Sequence, residues 1–157
     1  MQPPLFDHER LEVYHASLDF IAWSEPVISG ITPRPAAVDQ IDRASTSVPL
    51  NIAEGNGKRS MPDRCRFFDI ARGSAVECAA CLDVLVAKSR ISPEVAQTGK
   101  EKLVAVVNRL VRLIQSCTER GRSGNGWRCA EEAASYCVSA GHEPPEEKEP
   151  EQEKEQE

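Results

Sequence analysis

Apolar positions recur at helical spacing through most of this chain. Leu11, Tyr14, Leu18, Ile21 and Ala22 form one stripe and predict a first helix from about Asp7 to Ser24. Asp7 is suited to cap it, and Pro26 is placed to bend or end it. Gly30, Pro33 and Pro35 mark a loop. Val38, Ile41, Ala44, Ser45, Val48 and Ile52 predict a second helix from Ala36 to Asn56. Pro49 falls inside that stripe, where it removes a donor and crowds the Ser45 carbonyl, so a kinked but continuous helix is expected. Gly55-Asn56-Gly57 is its stop, because both residue types accept left-handed geometry. Ser60, Pro62 and Asp63 supply a cap, a first-turn proline and a capping-box acid for a third helix reaching about Ser89. Its inner face reads Phe67, Ile70, Ala71, Ser74, Ala75, Cys78, Leu82 and Leu85. Ser92-Pro93-Glu94 repeats the start signal and opens a fourth helix to about Thr118, with Leu103, Val106, Val107, Leu110, Ile114 and Cys117 on its stripe.

Short connections between long helices predict an all-α, antiparallel up-down four-helix bundle over residues 1–120. A turn near residue 59 sets Ser45 opposite Ser74 or Ala75, so that Arg43-Ala-Ser-Thr-Ser faces Arg72-Gly-Ser-Ala. Gly73 in mid-helix costs roughly 1 kcal/mol against alanine, and close backbone packing is the expected reason for it. Residues 121–140 read as a flexible joint with a short helical segment at Cys129–Ser139, and residues 141–157 as a disordered acidic tail. Val13, Phe20 and Phe68 lie off the stripes assigned above, as do Val84, Val86, Val104 and Val111. That surplus apolar surface predicts self-association, with Val13, Phe20 and Phe68 at the interface.

Charge changes the picture only once it is divided. The net −6 matches residues 141–157 alone, which carry eight Glu and two Lys, while the rest of the chain balances 17 basic against 17 acidic groups. With no basic and apolar leader at the start and no apolar run of bilayer length, the expected location is the cytoplasm, without a membrane partner.

Candidate chemistry is sparse. Gly55-Asn-Gly-Lys-Arg-Ser resembles a phosphate loop, but Ile52 stands where the first glycine belongs and a helix precedes it. Cys78-Ala-Ala-Cys81 has the spacing of a redox or zinc pair, yet it lacks a βαβ context and two further ligands, so buried small hydrophobes are the stronger reading. Cys129 and Cys137 have no evident partner in the sequence. His8, His15 and His142 are scattered. The hairpin register brings Glu54 near Arg64 or Arg66 as a structural ion pair. Arg43, Lys58, Arg59, Arg64, Arg66 and Arg72, with Arg109 and Arg112 on the fourth helix, are the candidate phosphate-binding groups. The reading is therefore non-catalytic, with no cofactor, metal or small-molecule substrate.

The stretch from Asp39 to Gly57, centred on Val48-Pro49-Leu50-Asn51-Ile52-Ala53-Glu54-Gly55, resembles the hallmark of the 23S rRNA intervening-sequence protein family. That family also takes in the accessory variability protein of diversity-generating retroelements. Leu11-Glu-Val-Tyr, the Arg66-Phe-Phe-Asp-Ile-Ala-Arg-Gly-Ser-Ala-Val-Glu segment and the apolar fourth helix agree with it, over roughly residues 5 to 118. The resemblance implies a four-helix bundle assembled as a ring-like homopentamer, with Pro49, Asn51, Glu54 and Gly55 as structural motif residues. In the retroelement branch it implies binding of RNA or DNA and docking of a reverse transcriptase. Two departures oppose nucleic acid: Asp42-Arg43 stands where relatives often carry two basic residues, and the tail is acidic. The readings that follow are an oligomeric nucleic-acid accessory protein and, as alternative, a protein–protein interaction module.

Overall fold

The computed structural model describes residues 3–122. The expected joint, the Cys129–Ser139 helix and the acidic tail lie outside them. A 3-10 turn at Asp7–Arg10 leads into α1 (Glu12–Ser29), followed by α2 (Ala36–Gly57), α3 (Met61–Ala87) and α4 (Pro93–Arg122). Each helix packs on its neighbours in sequence, and α4 closes the square against α1. The registers are antiparallel throughout. Gln40 bonds Glu77 and Ser47 Oγ meets Ser74 Oγ at 2.9 Å between α2 and α3. Cys65 approaches the Ile114 carbonyl while Lys100 pairs with Asp83 between α3 and α4. Arg109 reaches Glu12 at 3.6 Å between α4 and α1. This is the expected up-down bundle, and the Ser47–Ser74 contact lies within one helical turn of the expected Ser45–Ser74 register.

The core stripe of α2 is the expected one, with Val38, Ile41, Ala44, Ser45, Val48 and Ile52 all buried. Pro49 is also buried, and α2 runs through it without a break. At α3 the Ser60 hydroxyl accepts from the Asp63 N–H at 3.4 Å, with Pro62 in the first turn. Leu103, Val106, Leu110 and Cys117 are buried on α4.

On α1 the buried face is Val13, Ser17, Phe20, Ser24 and Ile28, not the Leu11-Tyr14-Leu18 stripe. Two serines disguise it. Ser17 Oγ donates to the Tyr14 carbonyl at 2.6 Å and Ser24 Oγ to the Ile21 carbonyl at 3.0 Å. A serine satisfied on its own helix can be buried as a small side chain. The helix also continues through Pro26 to Ser29 instead of ending at Ser24.

This rotation overturns the interface expected from sequence. Val13, Phe20 and Phe68 are 2%, 2% and 1% exposed, so they build the core of one chain and are not available to another. Phe68 takes the place assigned to Phe67 because Gly55 on α2 leaves room for its ring: a Cβ on Gly55 would lie 2.9 Å from Phe68 Cε1. Ile70, expected inside, is exposed. Gly73 is a second correction. A Cβ there would meet nothing within 4 Å, so close packing within the chain does not explain it. The close approaches fall at Gly55 and at Gly99, where a Cβ would lie 2.4 Å from the Trp23 ring. Exposed apolar side chains remain outside the core, among them Leu18, Leu50, Ile70, Val76, Val84, Val104 and Val111.

Candidate nucleic-acid interface

The α2–α3 hairpin gathers charge at one end of the bundle. The Val48–Gly55 motif first fixes the hairpin. Asn51 Nδ2 donates to the Ser47 carbonyl at 2.8 Å and to Ser47 Oγ at 3.0 Å, and Ser47 in turn meets Ser74. Ile52 is fully buried, and Gly55 seats the Phe67–Phe68 pair. The motif residues thus lock α2 to α3. Asn51 holds the polar rung of that contact, and Gly55 gives the close approach.

Beyond this lock the chain turns at Lys58, whose extended backbone ends α2. No left-handed residue is needed at Gly55-Asn56-Gly57. Among the described non-glycine residues, the one positive φ is at Ser89, after α3. Lys58 Nζ lies 3.1 Å from Glu54 and 4.7 Å above the Phe67 ring. Glu54 is therefore paired one turn along its own helix, and not with Arg64 or Arg66 as the hairpin register predicts. Arg64 instead donates to Asn56 Oδ1 at 3.0 Å, across the turn. Its Nε is buried and has no hydrogen-bond partner. Arg59 and Arg66 are exposed on either side of Ser60. Lys58, Arg59, Arg64 and Arg66 thus all lie within nine residues, at the α2–α3 turn and in the first turns of α3.

Arg43 and Arg72 do not join this cluster. Arg43 bonds Gln40 and stands fifteen residues before Lys58, about 22 Å along a helix. Arg72 is paired with Asp69 at 3.2 Å. Arg109 and Arg112 line a separate shallow groove of about 250 Å³ with Leu11, Glu12, Val13 and Leu113, between α1 and α4. The last turns of α4 reach the hairpin end, since Cys65 Sγ lies 3.8 Å from the Ile114 carbonyl and 3.9 Å from Thr118 Oγ1. Sequence reading missed the roles of Asn56 and Phe67. The only available signal was their spacing from Arg64 and Lys58 across a turn of then unknown shape.

The cysteine pair is core. Cys78 and Cys81 are both buried, and burial pushes the Cys78 thiol up to about 12. A thiol so buried and raised is a poor nucleophile at neutral pH. In the turn that precedes α1, Glu9 is held below the usual carboxylate range by accepting from the Phe6 and Leu5 N–H groups. Its role is local capping of the first turn. Among the described residues, no helix is long and apolar enough to cross a membrane.

The crystal structure of a protein of unknown function from the S23 ribosomal protein family of Bacteroides thetaiotaomicron VPI-5482 is similar in fold, with a TM-score of 0.60. The likeness, at 23% identity, covers 65% of this chain and 97% of that one. None of the curated proteins matches the chain. The sequence profile of the 23S rRNA-intervening sequence proteins matches residues 9–112, all of α1 to α3 and the first two thirds of α4, and the chain belongs to that family.

Proposed function

We propose that the protein is a non-catalytic accessory protein that binds RNA or DNA through the basic end of its bundle. The observation that carries this reading is the placement of Lys58, Arg59, Arg64 and Arg66 at the α2–α3 turn and in the first turns of α3, with Arg59 and Arg66 exposed and Arg64 Nε without a hydrogen-bond partner. Guanidinium groups so placed suit phosphate oxygens, which they bind as planar, two-pronged donors. The description of the family names the 23S rRNA and no reaction, which is in keeping with an accessory role. An Arg59→Ala, Arg66→Ala double variant tests it. Both side chains are exposed, so the fold should be kept while binding of a labelled RNA oligonucleotide weakens. Unchanged affinity would refute the assignment.

Self-association is part of the same reading, without Val13, Phe20 and Phe68 but with Val104 kept from the apolar positions read in the sequence. Leu50 is 63%, Val104 56% and Val76 51% exposed, and a helical bundle of this size has no internal use for them. A homo-oligomer that buries these side chains would repeat the basic end around its axis and multiply weak phosphate contacts. Sedimentation velocity at micromolar concentration checks it: a complex is expected, and a species that stays near 17.3 kDa on concentration contradicts it. The same exposed side chains favour the second reading, an interaction module that docks another protein. Salt separates the two, because apolar docking does not weaken as ionic strength rises.

A further inference from the structure

The basic end of the bundle is also the end from which the remaining chain departs. Helix α4 runs to Arg122, past the level at which Ile114 and Thr118 touch Cys65 in the first turns of α3. About twenty residues separate Arg122 from Glu143, a length that can reach up to about 70 Å. The hairpin cations lie well inside that radius. From Glu143 to the end the sequence holds eight Glu against Lys148 and Lys154.

The hairpin cations in turn are short of acidic partners. Lys58 has Glu54, but Arg64 is answered only by the neutral Asn56, and Arg59 and Arg66 face solvent. Elsewhere on the bundle four cations are matched locally, Arg34 by Asp39, Arg72 by Asp69, Lys100 by Asp83 and Arg109 by Glu12, whereas exposed cations without an ion pair, such as Arg43, Lys88, Arg90 and Arg112, are not gathered four within nine residues as the hairpin cations are. The chain therefore carries a group of four cations with one ion pair among them and a run of eight Glu against two Lys, tethered within reach of each other.

We propose that the Glu143–Glu157 run is a built-in competitor that occupies Lys58, Arg59, Arg64 and Arg66 until a polyanion displaces it. The regulatory meaning of this contact rests on the nucleic-acid reading above. The contact itself does not. Tethering holds carboxylates near the site at an effective concentration on the order of millimolar, so pairs that are individually weak can compete with phosphate. Salt screens both partners, so the tail matters most at low ionic strength.

The test keeps the chain at full length. In one variant all eight glutamates from Glu143 to Glu157 become glutamine, which removes the charge and preserves the tether. Amide spectra of the two chains are compared first, without nucleic acid. At about 50 mM salt the amides of residues 58–66 should differ between them, and the difference should vanish near 0.5 M salt. Identical spectra at low salt overturn the proposal. A difference that grows with protein concentration also overturns it, because the tail would then be acting on a second copy. Binding of a single-stranded RNA of mixed sequence is measured next. The glutamine variant should bind roughly tenfold tighter at about 50 mM salt, converging with the parent as salt rises. Equal binding by two chains whose spectra are identical removes the competitor and leaves the nucleic-acid reading intact. Spectral differences without RNA binding by either chain do the reverse.

Discussion

Gly55, Gly73 and Gly99 lie inside helices of this bundle, and substitution by alanine should raise stability at one and lower it at the other two. Gly73 sits in mid-α3 with nothing within 4 Å of where a Cβ would go. Alanine there gains the full helix-propensity difference, about 1 kcal/mol, with no steric opposition. For a bundle of this size that raises the melting temperature by roughly 3–5 °C. At Gly55 the same propensity gain meets Phe68 Cε1 at 2.9 Å and Phe67 Cβ at 3.0 Å. Overpacking of this kind costs about 1–3 kcal/mol, so the net is a loss of about 1 kcal/mol. At Gly99 a Cβ would stand 2.4 Å from Trp23 Cη2 and 2.7 Å from Leu82 Cδ1. Two core side chains must then shift together, and the loss should be the largest, about 2 kcal/mol.

Urea unfolding followed by far-UV circular dichroism gives all three values, provided the slope with denaturant is unchanged. The order expected is Gly73→Ala above the parent, then Gly55→Ala, then Gly99→Ala. A neutral Gly99→Ala would refute the interdigitation of α1 with α4. A destabilising Gly73→Ala would mean that some surface outside this single chain packs against that glycine, and would place the self-association contact on the outer face of α3.

Ser89 ends α3 at φ 54, with the Arg90 N–H on the Leu85 carbonyl and the Ser89 N–H on the Val86 carbonyl, both at 2.8 Å. That is a Schellman cap with serine in the glycine position, so Ser89→Gly should stabilise by roughly 0.5–1 kcal/mol in the same unfolding assay. A loss would show that the left-handed turn is not formed. Cys78, pushed by burial to about 12 from an ordinary 9.0, should resist a thiol reagent at neutral pH in the folded chain and react once unfolded. Because the raised value belongs to the folded state, its contribution to stability is whole below about pH 9 and declines as pH rises towards 12. Rapid labelling of the native chain at Cys78 would contradict its place in the core.

The fold was legible where apolar periodicity coincided with burial. On α2 every stripe residue from Val38 to Ile52 faces inward, and the capping serine of α3 could be read by type and spacing. The reading slipped where side-chain chemistry hid the inner face. Ser17 and Ser24 are buried yet polar by composition, and their bonds to the preceding turn are invisible to a hydrophobic pattern. Leu11, Tyr14 and Leu18 offered the stronger stripe and drew the helix a fraction of a turn out of phase. The exchange of Phe67 for Phe68 has a similar cause, since it depends on a vacancy at Gly55, thirteen residues away on another helix. The basic cluster was half legible. Lys58, Arg59, Arg64 and Arg66 are close in sequence and all lie at the α2–α3 turn or in the first turns of α3, whereas Arg43 and Arg72 find partners on their own helices. The partner of Glu54 depended on how α2 ended, which a glycine-rich sequence leaves open.

The most direct test of a phosphate-binding hairpin is the slope of RNA affinity against salt for the full chain. Each phosphate neutralised contributes roughly −0.7 to the slope of log affinity against log salt for a single strand. Three to four contacts per chain, from Lys58, Arg59, Arg64 and Arg66, predict a slope of about −2 to −3, or a loss of roughly 20- to 50-fold between about 50 and 200 mM salt. The Arg59→Ala, Arg66→Ala variant should flatten that slope by about 1.4. Affinity that is flat with salt, or a slope identical in parent and variant, would contradict the account and leave the exposed apolar surface as the site of function.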